Sequence, residues 1–207
     1  MALTKEIKTE NYTISIWQIT ENLEELKTML NNAEITEKIE AKYSNTKRQS
    51  EQLVSHLIIK HLIGRAEEIK HRSNGAPYIQ DKEKHISISH SRKSVAVAIS
   101  NTPIGIDIEE CSRKQYALYK RYTTPTEQEW IENTSNTTTQ QQIAEIIWSA
   151  KEAIYKLANI EGLLFESEIE ITPFTPTNET QFKATYRNTP CTCQLSVDGS
   201  ELLVVTY

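Results

Sequence analysis

Ile104-Gly105-Ile106-Asp107-Ile108-Glu109 is the stretch on which the fold turns. Alternation at period two sends its three isoleucines to one face of a strand and Gly105, Asp107 and Glu109 to the other. Ahead of it, Thr102-Pro103 marks the best boundary in the chain. Before that boundary the pattern predicts a strand over residues 12–19, a weak helix over 21–30 and a stronger helix over 47–63 closed by Gly64. The turn formers Ser73-Asn74-Gly75-Ala76-Pro77 then reverse the chain, and short strands follow over 86–89 and 95–100. After the boundary the order begins again. It runs from the strand ending at Ile108 through a helix near 115–122 and a strong helix over 143–158 to strands near 168–171, 182–186, 191–197 and 202–207. The last two are joined by a hairpin turn at Asp198-Gly199. Residues 133–142 (N-T-S-N-T-T-T-Q-Q-Q) hold almost nothing apolar and read as a mobile loop. The expectation is an α+β protein of two similar α/β halves, residues 1–103 and 104–207, related by a pseudo-twofold, with the active site in the cleft between them.

Composition narrows the function classes. The chain has 207 residues and a formal net charge of -5, with a pI near 5.6. No broad basic stripe is present, which argues against general nucleic-acid binding, so any anion must be held by a few placed cations. Cys111, Cys191 and Cys193 lack metal-ligand spacing and read as reduced, structural thiols. There is no apolar leader and no run long enough to span a bilayer, and a cytoplasmic protein is expected.

A helix over residues 143–158 carries the stretch Trp148-Ser149-Ala150-Lys151-Glu152-Ala153-Ile154-Tyr155-Lys156. On it Ile143, Ile146, Ile147, Ala150, Ala153, Ile154 and Leu157 fall on one side and Trp148, Glu152 and Lys156 on the other. Glu152 and Lys156 are spaced as an ordinary surface ion pair. Asp107 and Glu109 taken alone read first as the wet face of an edge strand ending at Glu110. Coupled to Glu152, however, three carboxylates offer the oxygen ligands that suit a hard cation such as Mg²⁺ beside substrate phosphates. Ser87-Ile88-Ser89-His90-Ser91 places small hydroxyls and a histidine at a strand end, able to donate to phosphate oxygens or simply to close the strand. No G-x-S-x-G elbow, Walker loop or G-x-G-x-x-G motif appears.

Taken together, I-S-I-S-H-S at residues 86–91, G-I-D-I-E at 105–109 and W-S-A-K-E-A-I-Y-K at 148–156 resemble the 4′-phosphopantetheinyl transferases. The length resembles the two-half, monomeric, surfactin-synthetase-activating type. The resemblance covers roughly residues 48–156. It implies transfer of phosphopantetheine from coenzyme A to a serine of an acyl or peptidyl carrier protein. By matched position, Asp107, Glu109 and Glu152 would be the Mg²⁺ ligands, Glu152 also the base, and Lys156 the cation that meets the departing phosphate. Arg48, Ser89, His90 and Lys151 would contact the coenzyme's phosphates, Gly75 and Pro77 would lie on its adenine side, and Glu127 matches an acidic position. The family's G-K-P turn is Gly75-Ala76-Pro77 here, so one expected cation is missing. A surface near residues 116–130, where aromatic and basic residues alternate, is expected either to receive the carrier or to pack in the core. An Mg²⁺-dependent pyrophosphate hydrolase and an inactive coenzyme- or carrier-binding module are the rival readings.

Overall fold

Residues 3–8 alternate half-buried Leu3, Lys5 and Ile7 with exposed Thr4, Glu6 and Lys8, and this pattern forms a strand, β1 (Leu3–Lys8), paired antiparallel with β2 (Tyr12–Gln18). The sequence pattern alone had supplied only β2. The computed structural model describes residues 3–81, 83–111 and 115–207. Contacts divide the chain into two units, residues 1–102 and 103–207.

In the first unit, α1 (Leu23–Leu30), α2 (Ala33–Lys42) and α3 (Thr46–Ile63) follow β2. Helix α2 was not expected, because its apolar residues are few, and Ile35 and Ile39 are the two that it buries. Each of the three helices starts on an asparagine, Asn22, Asn32 and Asn45, whose side chain accepts a first-turn N–H. The Asn-rich composition thus does structural work, since a cap of this kind stabilises a helix by about 1 kcal/mol. The hairpin of β3 (Lys70–His71) and β4 (Pro77–Tyr78) comes next, then β5 (His85–His90) and β6 (Ser94–Ser100). The main sheet runs β1-β2-β6-β5, antiparallel throughout. Trp17, Val95 and Val97 share a core with Leu53, Val54, Ile58 and Ile59 of α3.

The second unit opens with β7 (Gly105–Glu110) and a 3-10 turn at Gln115–Arg121. Helices α4 (Pro125–Asn133), α5 (Thr137–Ala158) and α6 (Phe165–Glu168) follow, and then strands β8 (Ile169–Ile171), β9 (Glu179–Tyr186), β10 (Thr189–Asp198) and β11 (Glu201–Thr206). The sheet order is β7-β11-β10-β9-β8.

Two expectations are corrected in this unit. The polar run 133–142 is not a mobile loop: α4 ends at Asn133 and α5 starts at Thr137. Asn136 caps α5 by accepting from the Thr138 and Thr139 N–H groups. Gln140 is held by Tyr116 Oη at 2.8 Å and by its own bond to the Thr134 carbonyl at 2.7 Å. Polar side chains here bond the backbone instead of burying apolar area. The β10–β11 turn is shifted by one residue: Asp198 pairs with Glu201, so the two-residue loop is Gly199-Ser200, with Gly199 at φ +60°.

Candidate active site

Helix α5 lies across β7, and one glycine makes that approach possible. A Cβ on Gly105 would sit 1.9 Å from the Ala153 carbonyl oxygen, inside any permitted contact. The Gly105, Asp107 and Glu109 face is therefore not a wet edge. It faces the helix, and Asp107 is 4% exposed. The isoleucine face is buried as well, at Ile104, Ile106 and Ile108.

Four of the sequence-designated side chains come together here. Lys156 Nζ donates to Asp107 Oδ1 at 2.8 Å and to the Ile106 carbonyl at 2.9 Å. Trp148 Nε1 donates to Glu109 Oε1 at 3.4 Å. Burial raises the Glu109 carboxyl above its ordinary range; Asp107 and Glu152 push the same way, while the Trp148 bond and Lys156 oppose. Glu152 is also raised by burial, with Lys156 opposing and Asp107 adding to the shift. Glu109 thus feels Asp107, Glu152 and Lys156, and Glu152 feels Asp107 and Lys156. Lys156, expected to face a phosphate, is paired with Asp107 at 2.8 Å, which joins helix to strand.

This donor set is all oxygen, which is the preference of a hard divalent cation. Among the described residues, no group of three or more His, Cys, Asp or Glu side chains stands assembled as a metal cage. The chemistry fits a cation that recruits its ligands, because like charges gathered in a half-buried site are relieved when a positive charge enters. Beside Glu152 runs a groove of about 420 Å³ lined by Leu118, Tyr122, Trp148, Leu164 and Phe165. Leu118 and Leu164 are two of the few large apolar side chains left exposed, at 46% and 51%.

The other expected contacts belong to the first unit. Arg48, in the first turn of α3, donates from NH1 to Glu51 Oε2 at 2.9 Å and to His90 Nε2. No acidic residue occupies that first turn, and Lys47 stands there with Arg48. Cations at a helix N-terminus oppose its dipole, a cost consistent with a site for anions. His71 on the β3–β4 hairpin is held below its ordinary pKa by burial and then by Lys42 and Arg48, so the hairpin lies within the same field. Its turn carries Gly75 at φ +86°, with Pro77 opening β4. Ser89 is buried on β5.

The sequence of the second unit carries a family signature as well. The model of the 4′-phosphopantetheinyl transferase superfamily matches residues 103–205. The chain belongs to this superfamily. A 4′-phosphopantetheinyl transferase named gsp from Aneurinibacillus migulanus is 30% identical over 122 residues, 56% of this chain and 51% of that protein. A 4′-phosphopantetheinyl transferase of Bacillus subtilis is 34% identical over 85 residues, 41% of this chain and 38% of that protein. The chain thus spans about half the length of the first relative and less of the second.

For a transferase-superfamily chain, one expected phosphate contact is displaced. Lys151 has no exposed surface, and its ammonium donates to Glu127 Oε2 at 2.6 Å, the Phe165 carbonyl at 2.7 Å and the Ile169 carbonyl at 2.8 Å. With three acceptors around it and no access to solvent, it is a buried structural cation and not a phosphate ligand. The sequence held this signal. Lys151 lies four residues from Ile147 and three from Ile154, on the packed stripe of α5. Glu127 was likewise legible as the closing residue of a capping box that begins at Thr124. The aromatic residues of 116–130 mostly pack: Tyr122 is 4% exposed, and Trp130 meets Phe174 edge-on at 5.3 Å. Among the described residues, no helix is long and apolar enough to cross a membrane.

Proposed function

We propose that the protein transfers the 4′-phosphopantetheine group of coenzyme A to a serine of an apo acyl or peptidyl carrier protein, with Mg²⁺, releasing adenosine 3′,5′-bisphosphate. The observation that carries this reading is the convergence of Asp107, Glu109 and Glu152 with Lys156 inside the matched region. The two relatives are themselves named as such transferases.

Asp107, Glu109 and Glu152 would hold the Mg²⁺, which supplies charge neutralisation at the pyrophosphate when bound. Glu152, raised by its burial, takes the proton of the incoming serine hydroxyl, directly or through water. A bond forms from the serine Oγ to phosphorus, and the bond from phosphorus to the bridging pyrophosphate oxygen breaks. Lys156 stabilises the negative charge left on the departing phosphate. The serine approaches Glu152 along the groove between Leu118 and Leu164. Arg48 and His90, with Ser89 and the turn at Gly75 and Pro77, hold the coenzyme. On this reading the enzyme acts in the cytoplasm as a monomer and has no nucleic-acid substrate.

The test is intact-mass measurement of several apo carriers incubated with coenzyme A, Mg²⁺ and the protein. A mass gain of one phosphopantetheine on a carrier supports the reading. Release of adenosine 3′,5′-bisphosphate with no carrier modified would make the protein a hydrolase, and coenzyme binding without product would make it a binding module.

A further inference from the structure

Glu127 and Lys151 form an ion pair with no exposed surface on either side chain. Each of the two groups is saturated. Glu127 Oε2 also accepts the Thr124 N–H at 2.8 Å, and Oε1 accepts the Ile171 N–H at 2.8 Å. Lys151 takes the carbonyls of Phe165 and Ile169 in addition to the carboxylate. One pair therefore ties α5 to the start of α4, to α6 and to β8. Burying two charges is costly, and apolar side chains of similar volume often serve stability as well. What the pair does do is hold these four elements in one geometry.

That geometry leads to the candidate active site. Helix α6 has four residues, no buried side chain and no side-chain bond from its cap residue Leu164. A helix this short does not hold itself. At its far end Glu168 accepts the Leu164 N–H at 2.8 Å and pairs with Arg187, while Lys151 ties the helix to α5 through the Phe165 carbonyl. The Phe165 ring then meets Trp148 at 5.8 Å and Tyr155 at 5.9 Å. Trp148 in turn bonds Glu109 and lines the groove with Glu152. The contacts run without a break from Glu127 through Lys151, Phe165 and Trp148 to Glu109.

We infer that Glu127 and Lys151 are the positioning pair of the active site: by seating Phe165 against Trp148 they set where Glu109 stands and how the groove beside Glu152 is walled, and they touch no substrate. The inference rests on the transfer reading for its kinetics but not for its spectroscopy.

The test compares full-length wild type with Glu127→Gln, which keeps the side chain's size and one acceptor oxygen but removes its charge. Both are assayed for carrier modification well below their melting temperatures, and both are labelled with 5-fluorotryptophan to follow Trp148 by fluorine NMR. Expected is a fall in kcat of at least ~10-fold, within the ~10²-fold that a misplacement near 1 Å costs. KM for coenzyme A should stay within about twofold and the Trp148 resonance should move, a split that loss of folded protein alone does not give. A folded variant with wild-type kcat and an unmoved resonance would overturn the proposal. Should Glu127→Gln fail to fold, Phe165→Leu decides by the same readouts, since it leaves the ion pair intact and removes the ring it acts through. If wild type transfers nothing, the functional reading fails, and the Trp148 resonance in the variant still decides the role of the pair.

Discussion

Lys156 reaches from α5 to β7 and donates to Asp107 Oδ1 at 2.8 Å, joining the helix that carries Glu152 to the strand that carries Asp107 and Glu109. Its charge offsets part of the repulsion among three carboxylates. Lys156→Ala should lower kcat by ~10²-fold or more, as loss of a preorganised electrostatic contact does. The concentration of Mg²⁺ needed for half-maximal rate should stay level or fall, because a competing cation has gone. Titration of the rate with Mg²⁺ in wild type and variant measures both effects.

Gly105 is required by the approach of α5, where a methyl group would meet the Ala153 carbonyl at 1.9 Å and the Leu157 amide nitrogen at 2.8 Å. Neither is the flexible end of a side chain. Gly105→Ala should destabilise the protein by roughly 1–3 kcal/mol, the usual cost of overpacking, or more where the backbone cannot move. Urea denaturation reads the stability loss, and the transfer rate should fall with it, because Ala153 is the neighbour of Glu152.

The α+β class and the strand-helix-strand order were legible from periodicity, and the acidic trio from its motif. What was not legible depends on bonds between residues distant in sequence. Thr137 to Gln142 looks too polar to order itself, yet it is helical because Asn136 caps it and Tyr116 holds Gln140. Lys151 looks like a phosphate ligand beside Glu152 until the carbonyls of Phe165 and Ile169 close over it. Taken without Glu152, Asp107 reads as an exposed strand residue, and its burial becomes plain only where Gly105 lets a helix settle on its face.

Removing one member of the Glu127–Lys151 pair leaves the other charge buried without its counter-charge. Lys151→Met should cost about 3–5 kcal/mol of stability, more than any exposed ion pair in the chain could contribute. A large drop in the urea midpoint with a similar slope is the expected signature.

His56 is 4% exposed, with Nδ1 donating to the Gln52 carbonyl at 2.8 Å and Nε2 accepting the Ile69 N–H at 3.2 Å. That arrangement needs the neutral ring, and burial holds its pKa below 6.5. The unfolded chain therefore takes up this proton first as pH falls. Stability is intact above about pH 6.5 and declines below it, by at most about 1.4 kcal/mol per pH unit from this group. Melting temperatures of wild type should drop between pH 7 and pH 5, and those of His56→Gln should drop less.

The central claim is that Asp107, Glu109 and Glu152 act together as the acidic core of a transferase. The most direct measurement is the rate of phosphopantetheine transfer to an apo carrier, at saturating Mg²⁺ and coenzyme A, by Asp107→Ala and Glu152→Ala. Both variants are predicted to be folded and slower by ~10²-fold or more. A near-normal rate in either one would contradict the account.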